Sequence, residues 1–323
     1  MNKIAWTAIA ALMLCGMAAV AQTVPETPLI ARIRIATLAT PKLEKTVAWY
    51  KRWLQYDVAE TGQIDMALAE SWGAPKTAGR KFALLAPNGT KDVFVRVVAI
   101  DDVPGYRAES TMGWNSIEII VDDLEALSRR MKAGGVEILR EKAALGAPFA
   151  SIEAMQIHGP AEEILNLSSE TGDRQASNLP IPKSQVDRLF LISLAGPDLG
   201  ALKDFYAGTF KMRTFPNFDG PMALAARAIG VPLDHVFPST LVRAAQKGNT
   251  VEMHGYPPQA KIRPRPAGQL PPGVAIASFA VGSLDALKIK FITPPGTRSG
   301  VAYNGKRSGA TLGPAGEIIE LME

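Results

Sequence analysis

The chain has 323 residues, 47% of them hydrophobic, 20% charged, and a formal net charge of +4. That apolar share is enough for two cores of ordinary size. Prolines break the longest basic run, Lys261-Ile262-Arg263-Pro264-Arg265, and no aromatics interleave with it, so no nucleic-acid partner is expected.

Residues 1–21 read as an export signal. Lys3 gives a positive start, Ile4 to Ala19 is almost wholly apolar, and Ala19-Val20-Ala21 before Gln22 fits a small-x-small cleavage site. A periplasmic or secreted protein follows, with no stable membrane anchoring once the signal is removed. Cys15 raises a lipoprotein alternative, against which stands Leu14 where a small residue belongs. Cys15 is the only cysteine, which excludes disulfides, a thiolate nucleophile and Cys-ligated metal from the mature chain.

The chain then repeats itself. Gly159-Pro160-Ala161-Glu162-Glu163-Ile164-Leu165-Asn166-Leu167 returns as Gly313-Pro314-Ala315-Gly316-Glu317-Ile318-Ile319-Glu320-Leu321, at an offset of 154. Trp49-Tyr50 with Leu54 returns as Phe205-Tyr206 with Phe210, at an offset of 156. Two distant pairs at nearly one offset imply a tandem duplication of about 150 residues.

Each half divides again. In the first unit, alternation predicts a strand over Arg32 to Leu38, and Pro41 opens a helix whose buried face carries Leu43, Val47, Tyr50 and Leu54. Strands follow at Lys81 to Ala86 and Asp92 to Ile100. The second unit has a strand at Ser116 to Val121 and a helix capped by Asp122 or Asp123 and ended by Gly134-Gly135. Its later strands are Val136 to Leu139, Phe149 to Ile157 and Ile164 to Leu167. Residues 171–185 are polar and proline-bearing and read as a linker. The third unit has a strand at Val186 to Leu194, a helix from Asp198 through Phe205 and Tyr206, and strands at Ser239 to Ala244 and Thr250 to His254. In the fourth, Ala275 to Val281 is a strand, and the following helix has lost about two turns.

These motifs, PKLEKTVAWYKRWLQY from Pro41, VDDLEALSRRMKAGG from Val121, DLGALKDFYAGTF from Asp198 and the two GPAxEI endings, resemble the vicinal oxygen chelate superfamily. That superfamily includes glyoxalase I, bleomycin-resistance proteins and extradiol dioxygenases. The resemblance implies an α+β fold of four βαβββ units paired into two cupped mixed sheets. Residues 29–170 are expected to form an N-terminal domain of two units, and residues 186–323 a C-terminal one.

The resemblance also implies a divalent ion inside a cup, held from the first and last strands of each unit. The first-strand positions fall near Ile33, Ser116, Leu191 and Ile276, none a strong ligand. By the internal repeat, Arg96 matches Glu252 and Asn166 matches Glu320. The N-terminal cup is therefore expected to hold no metal. Arg96 there could pair with Glu118 as a core contact, or form with it and Asn166 a pocket for an anion or carbonyl compound.

The C-terminal cup is the expected centre. Glu252 and Glu320 facing one hollow would repel each other and raise one pKa, which suits acid–base catalysis or, with His254, one divalent ion. Both could equally be exposed or paired structural residues. Arg298 and Tyr303, with Lys306 and Arg307, lie in a Gly-rich stretch suited either to a mobile rim that binds an acidic ligand or to a plain hairpin. Two functions stay open: an exported lyase, isomerase or dioxygenase acting on a small oxygen-bearing molecule, and a metal-free protein that sequesters a small-molecule ligand. A structural module is a third reading.

Overall fold

The structure, a computed structural model, describes residues 27–146 and 149–323. The expected signal segment lies outside the described residues. Among those described, no helix is long and apolar enough to cross a membrane.

Four units follow one another. The first comprises β1 (Ile30–Thr40), α1 (Leu43–Leu54), β2 (Asp57–Gln63), α2 (Met66–Ser71), β3 (Lys81–Ala86) and β4 (Phe94–Ala99). The second comprises β5 (Gly113–Val121), α3 (Leu124–Ala133), β6 (Ile138–Ala144), β7 (Ile152–His158) and β8 (Ile164–Glu170). The third comprises β9 (Val186–Gly196), α4 (Leu199–Phe210), β10 (Arg213–Thr214), β11 (Phe218–Pro221), α5 (Ala223–Ile229), β12 (Val236–Arg243) and β13 (Thr250–Gly255). The fourth comprises β14 (Gly273–Val281), β15 (Gly296–Thr297), β16 (Arg307–Leu312) and β17 (Ile318–Met322).

The helices form for local reasons. Asp123 and Asp198 each accept a backbone N–H three residues on, from Ala126 and Ala201, and so cap α3 and α4. Gln55 and Lys211 close α1 and α4 in left-handed conformations, at φ of 58° and 56°. The fourth unit has no helix at the corresponding place, only a turn in which Leu287 N–H bonds Leu284 O. Leu284 and Leu287 of that turn still pack into the core.

Within each unit the first strand runs parallel to the last: β1 with β4, β5 with β8, β9 with β13, β14 with β17. The units then join through their first strands. Here the structure corrects the expected pairing of units within residues 29–170 and within 186–323. β1 pairs antiparallel with β14, and β5 with β9. One sheet thus runs β15-β16-β17-β14-β1-β4-β3-β2 and the other β10-β12-β13-β9-β5-β8-β7-β6. Units one and four build one cup, and units two and three the other. The physical reason is edge availability. A first strand offers one free edge to any other first strand, and the hydrophobic pattern is the same for every choice. The crossings from unit one to two and from three to four run side by side, tied by Met112 N–H to Lys261 O at 3.0 Å.

The largest core joins the outer faces of both sheets to α1, α3 and α4. Two buried hydrogen bonds cross between the cups there, and they explain the sequence repeat. Tyr50 of α1 donates to Glu163 at 3.0 Å, and Tyr206 of α4 donates to Glu317 at 3.0 Å. Each glutamate also takes the backbone N–H two residues before it, Ala161 or Ala315, at 2.8 Å. The aromatic-Tyr helix of one unit therefore docks on the Gly-Pro-Ala-x-Glu turn of the next.

Candidate functional site

The ladder registers fix which side chains meet inside each cup. Parallel pairing sets Thr37 beside Arg96 and Ser278 beside Glu320 in the first cup. In the second it sets Glu118 beside Asn166 and Ser193 beside Glu252.

The first cup is filled. Glu320 accepts from Trp72 Nε1 at 3.0 Å, from the Tyr303 hydroxyl at 2.7 Å and from the Ser278 hydroxyl at 2.5 Å. The Arg96 guanidinium lies 3.6 Å from it and donates to Tyr303 at 2.8 Å. Arg96 also lies against the Trp72 ring, 4.9 Å from its centroid. Trp72 ends α2, and around it Ile35, Leu68, Leu84, Phe94 and Ile276 complete an apolar plug. A cavity of only about 70 Å³ remains beside Arg96.

The second cup is open. A cavity of about 650 Å³ is bounded by Ser116, Asn166, Gln156, Ser193, Glu252 and His254, with Met222, Leu224 and Ala225 at α5. A second cavity, of about 760 Å³, is bounded by Leu179, Phe190, Leu191 and Leu241. Glu118, Arg140, Leu145, Phe218 and Glu252 border both. The two share this boundary and form one trough, whose waist is lined by Glu118 and Glu252 among the five.

A line of hydrogen bonds crosses the floor. Asn166 donates to the Ser116 hydroxyl at 3.3 Å, Ser116 to Ser193 at 2.8 Å, and Ser193 to Glu252 at 3.4 Å. Every donor points toward Glu252, which favours its anion. Burial works the other way and prevails, pushing Glu252 up to about 7. Glu118 also rises to about 7. Burial is the chief cause, the Ser168 hydroxyl that bonds it acts against the rise, and the charge of Glu252 adds to it. His254 lies 3.8 Å from Glu252, and its Nδ1 is 2.8 Å from the Ser239 hydroxyl. Burial lowers it to about 4, so it is neutral at pH 7. At the same end Glu109 takes the Tyr256 hydroxyl at 2.5 Å, and its own pKa is raised by burial.

Several sequence expectations are corrected by this geometry. Glu252 and Glu320 do not share a hollow, because β13 and β17 belong to different sheets. A metal set of Glu252, Glu320 and His254 is therefore not assembled. Arg96 does not meet Glu118 or Asn166 for the same reason; its partner is Glu320. Tyr303 belongs to the plug rather than to a rim. Arg298 is 8% exposed and holds the same turn through its backbone N–H to Lys306 O at 3.0 Å. What the structure does bring together is Glu118, Asn166, Glu252 and His254, with Ser116.

Sequence reasoning missed Ser193, Ser168, Ser239, Gln156 and Glu109. Ser193 was within reach. The offset of 156 that carries Arg96 onto Glu252 also carries Thr37 onto Ser193. Glu109 gave no such signal, since it lies in the irregular crossing between units at a left-handed φ of 62°.

A scan against protein-family models finds no match, and a search of curated proteins finds none. Solved structures do match. Glyoxalase I from Zea mays superposes with a TM-score of 0.57 at 15% identity, over 90% of this chain and 92% of that one. A putative dioxygenase from Bacillus subtilis subsp. subtilis str. 168 gives a TM-score of 0.58 at 11% identity, over 92% and 86%. With four units, three of them carrying the helix after the first strand, closing two cups along nearly the whole length, the chain has the tandem fold of the vicinal oxygen chelate superfamily.

Proposed function

We propose that this protein is a small-molecule enzyme that moves a proton on an oxygen-bearing substrate in the cup of units two and three. The observation that carries the reading is the pair of carboxyls, Glu118 and Glu252, bordering one trough, each held near neutrality. A carboxyl that titrates near the working pH is the efficient proton donor or acceptor. Of the lyase, isomerase and dioxygenase chemistries, this arrangement favours the first two.

Glu252 is the base. The floor of hydrogen bonds ends on it, and its side chain keeps 25% exposure to the trough. Glu118 is the acid, because the charge of Glu252 helps to keep its proton on. A carbonyl compound seated at the waist would lose a proton from the carbon beside its carbonyl to Glu252. Its oxygen would take the proton of Glu118. The enol so formed is neutral; when Glu252 returns a proton to carbon and Glu118 takes one back from oxygen, a simple ketone is regenerated with exchanged hydrogen, and an α-hydroxy carbonyl compound, whose enol is an enediol, is isomerised if the proton returns to the other carbon. Asn166 and Gln156, which face each other across β7 and β8, border the same cavity and can orient the oxygen.

A divalent ion is the fold's usual companion, and the donor sets can be tested for it. In the first cup the guanidinium of Arg96 stands among the donors and repels a cation. In the second, the ladder positions supply two carboxyls, one amide and one hydroxyl. Among the described residues no group of three or more His, Cys, Asp or Glu side chains is placed to hold an ion. The residues do not fit a tightly held metal, and the proton transfer needs none.

The test is solvent-deuterium exchange into small ketones, followed by NMR. Exchange should be fastest near neutral pH, where the pair holds one proton. Glu252→Gln should slow it by about 10²–10⁴-fold. Exchange unaffected by that change would overturn the reading. A volume of this size without turnover favours the second function, sequestration, which would show as tight ligand binding with no exchange in either form.

A further inference from the structure

We infer that the substrate is an elongated amphiphile, with a polar carbonyl head and an apolar arm, which lies along the trough with its reacting carbon at the waist. This deepens the proton-transfer reading and rests on it. The argument begins with the cup's inner surface. The first cup has one continuous apolar filling, whereas that of the second is divided. One patch, Ala195, Ala225, Ala226, Phe237 and Tyr256, lies under α5. The other, Ile120, Phe190 and Leu191 with Leu179, lies at the far side of the trough. Between them run the polar floor and the two carboxyls.

The lobes differ in chemistry. The lobe under α5 presents Gln156, Asn166, Ser193 and His254, which can donate to or accept from a head group. The other presents Leu179, Phe190, Leu191 and Leu241, which remove an arm from water, with Asn178, Arg243 and Thr250 also on its boundary. Glu118 and Glu252 border both lobes, so only a ligand that spans the waist uses the whole site. A small polar molecule would leave the larger lobe empty. A wholly apolar one would bury the floor amide and hydroxyls without partners, which is costly.

Binding of a homologous series of straight-chain methyl ketones, read by displacement of anilinonaphthalene sulfonate, tests this. The dissociation constant should fall about fourfold per added methylene until the apolar lobe is filled. Leu241→Trp should abolish that gain, weakening the longest ketones at least about tenfold while leaving butanone unchanged. Leu179→Trp, in a loop rather than a strand, should do the same and guards against a folding defect. Affinity that does not respond to chain length, or equal weakening of short and long ketones, overturns the inference. Glu252→Gln separates the two ideas. Chain-length dependence that survives in it, with no exchange activity in the unmodified protein, would sink the chemistry and leave the ligand class standing.

Discussion

Two glutamates at corresponding strand positions have opposite fates. Glu320 has a hydroxyl, a phenol, an indole and a guanidinium around it and no room for a ligand. Glu252 has one serine, a neutral histidine 3.8 Å away and open space. The difference predicts how each responds to loss of charge. Glu320→Gln leaves the buried Arg96 without an anion and should destabilise the protein by about 3 kcal/mol in urea unfolding. It should leave ketone exchange unchanged, because its cup takes no part. Glu252→Gln should do the reverse, with little effect on the unfolding midpoint and a large effect on exchange. If Glu320→Gln were to stop exchange at full stability, the assignment of the site to the other cup would fail.

Between the strands of each cup sits an inserted helix, and the residue that follows it decides whether the cup is open. After α2 comes Trp72, whose ring fills the first cup. After α5 comes Gly230, in a left-handed conformation at φ 88°, and the helix stays at the cavity wall. Trp72→Ala should therefore open the first cup. The expected cost is about 3–5 kcal/mol, measured by thermal unfolding. A negligible loss would mean that the plug is not packed as described. Neither helix was legible in the sequence. Each is under eight residues, with no stripe long enough to show a period, and α5 has no side-chain cap. The long elements were legible because α1, α3 and α4 each carry two or more turns of apolar spacing. So was the weakness of the fourth helix, which proved to be a turn.

At the scale of the molecule, the four units could be read from the sequence but not their partnership. The offset of the repeat marks which positions correspond. It carries no information on which copies touch, and the two acidic positions were placed together on that account. Register against a neighbouring strand, as in Thr37 beside Arg96 and Glu118 beside Asn166, is a property of the assembled sheet alone.

The whole molecule also has a pH signature. Burial holds Glu118, Glu163, Glu252 and Glu317 near 7, above the ordinary carboxylate range. The folded protein then keeps protons that the unfolded chain releases above about pH 4.5. Stability should accordingly fall as pH rises from about 5 through about 7, and level off beyond. His254 and Glu323 act in the opposite sense. Held at about 4 and about 2, they cost stability as pH falls below their ordinary values. A thermal midpoint that climbs from pH 5 to pH 8 would contradict this balance.

The nesting of one cup's strands inside the other's span also sets an order of birth. As the chain emerges from its N-terminal side, whether from a ribosome or from an export channel, the second and third units appear in succession, and their cup can close once β13 is free. The first unit, made earliest, must wait for the fourth before its open flank finds β14. The open cup is thus complete while its sealed companion is still half a barrel, and for that interval β1 is an exposed ribbon edge in need of protection.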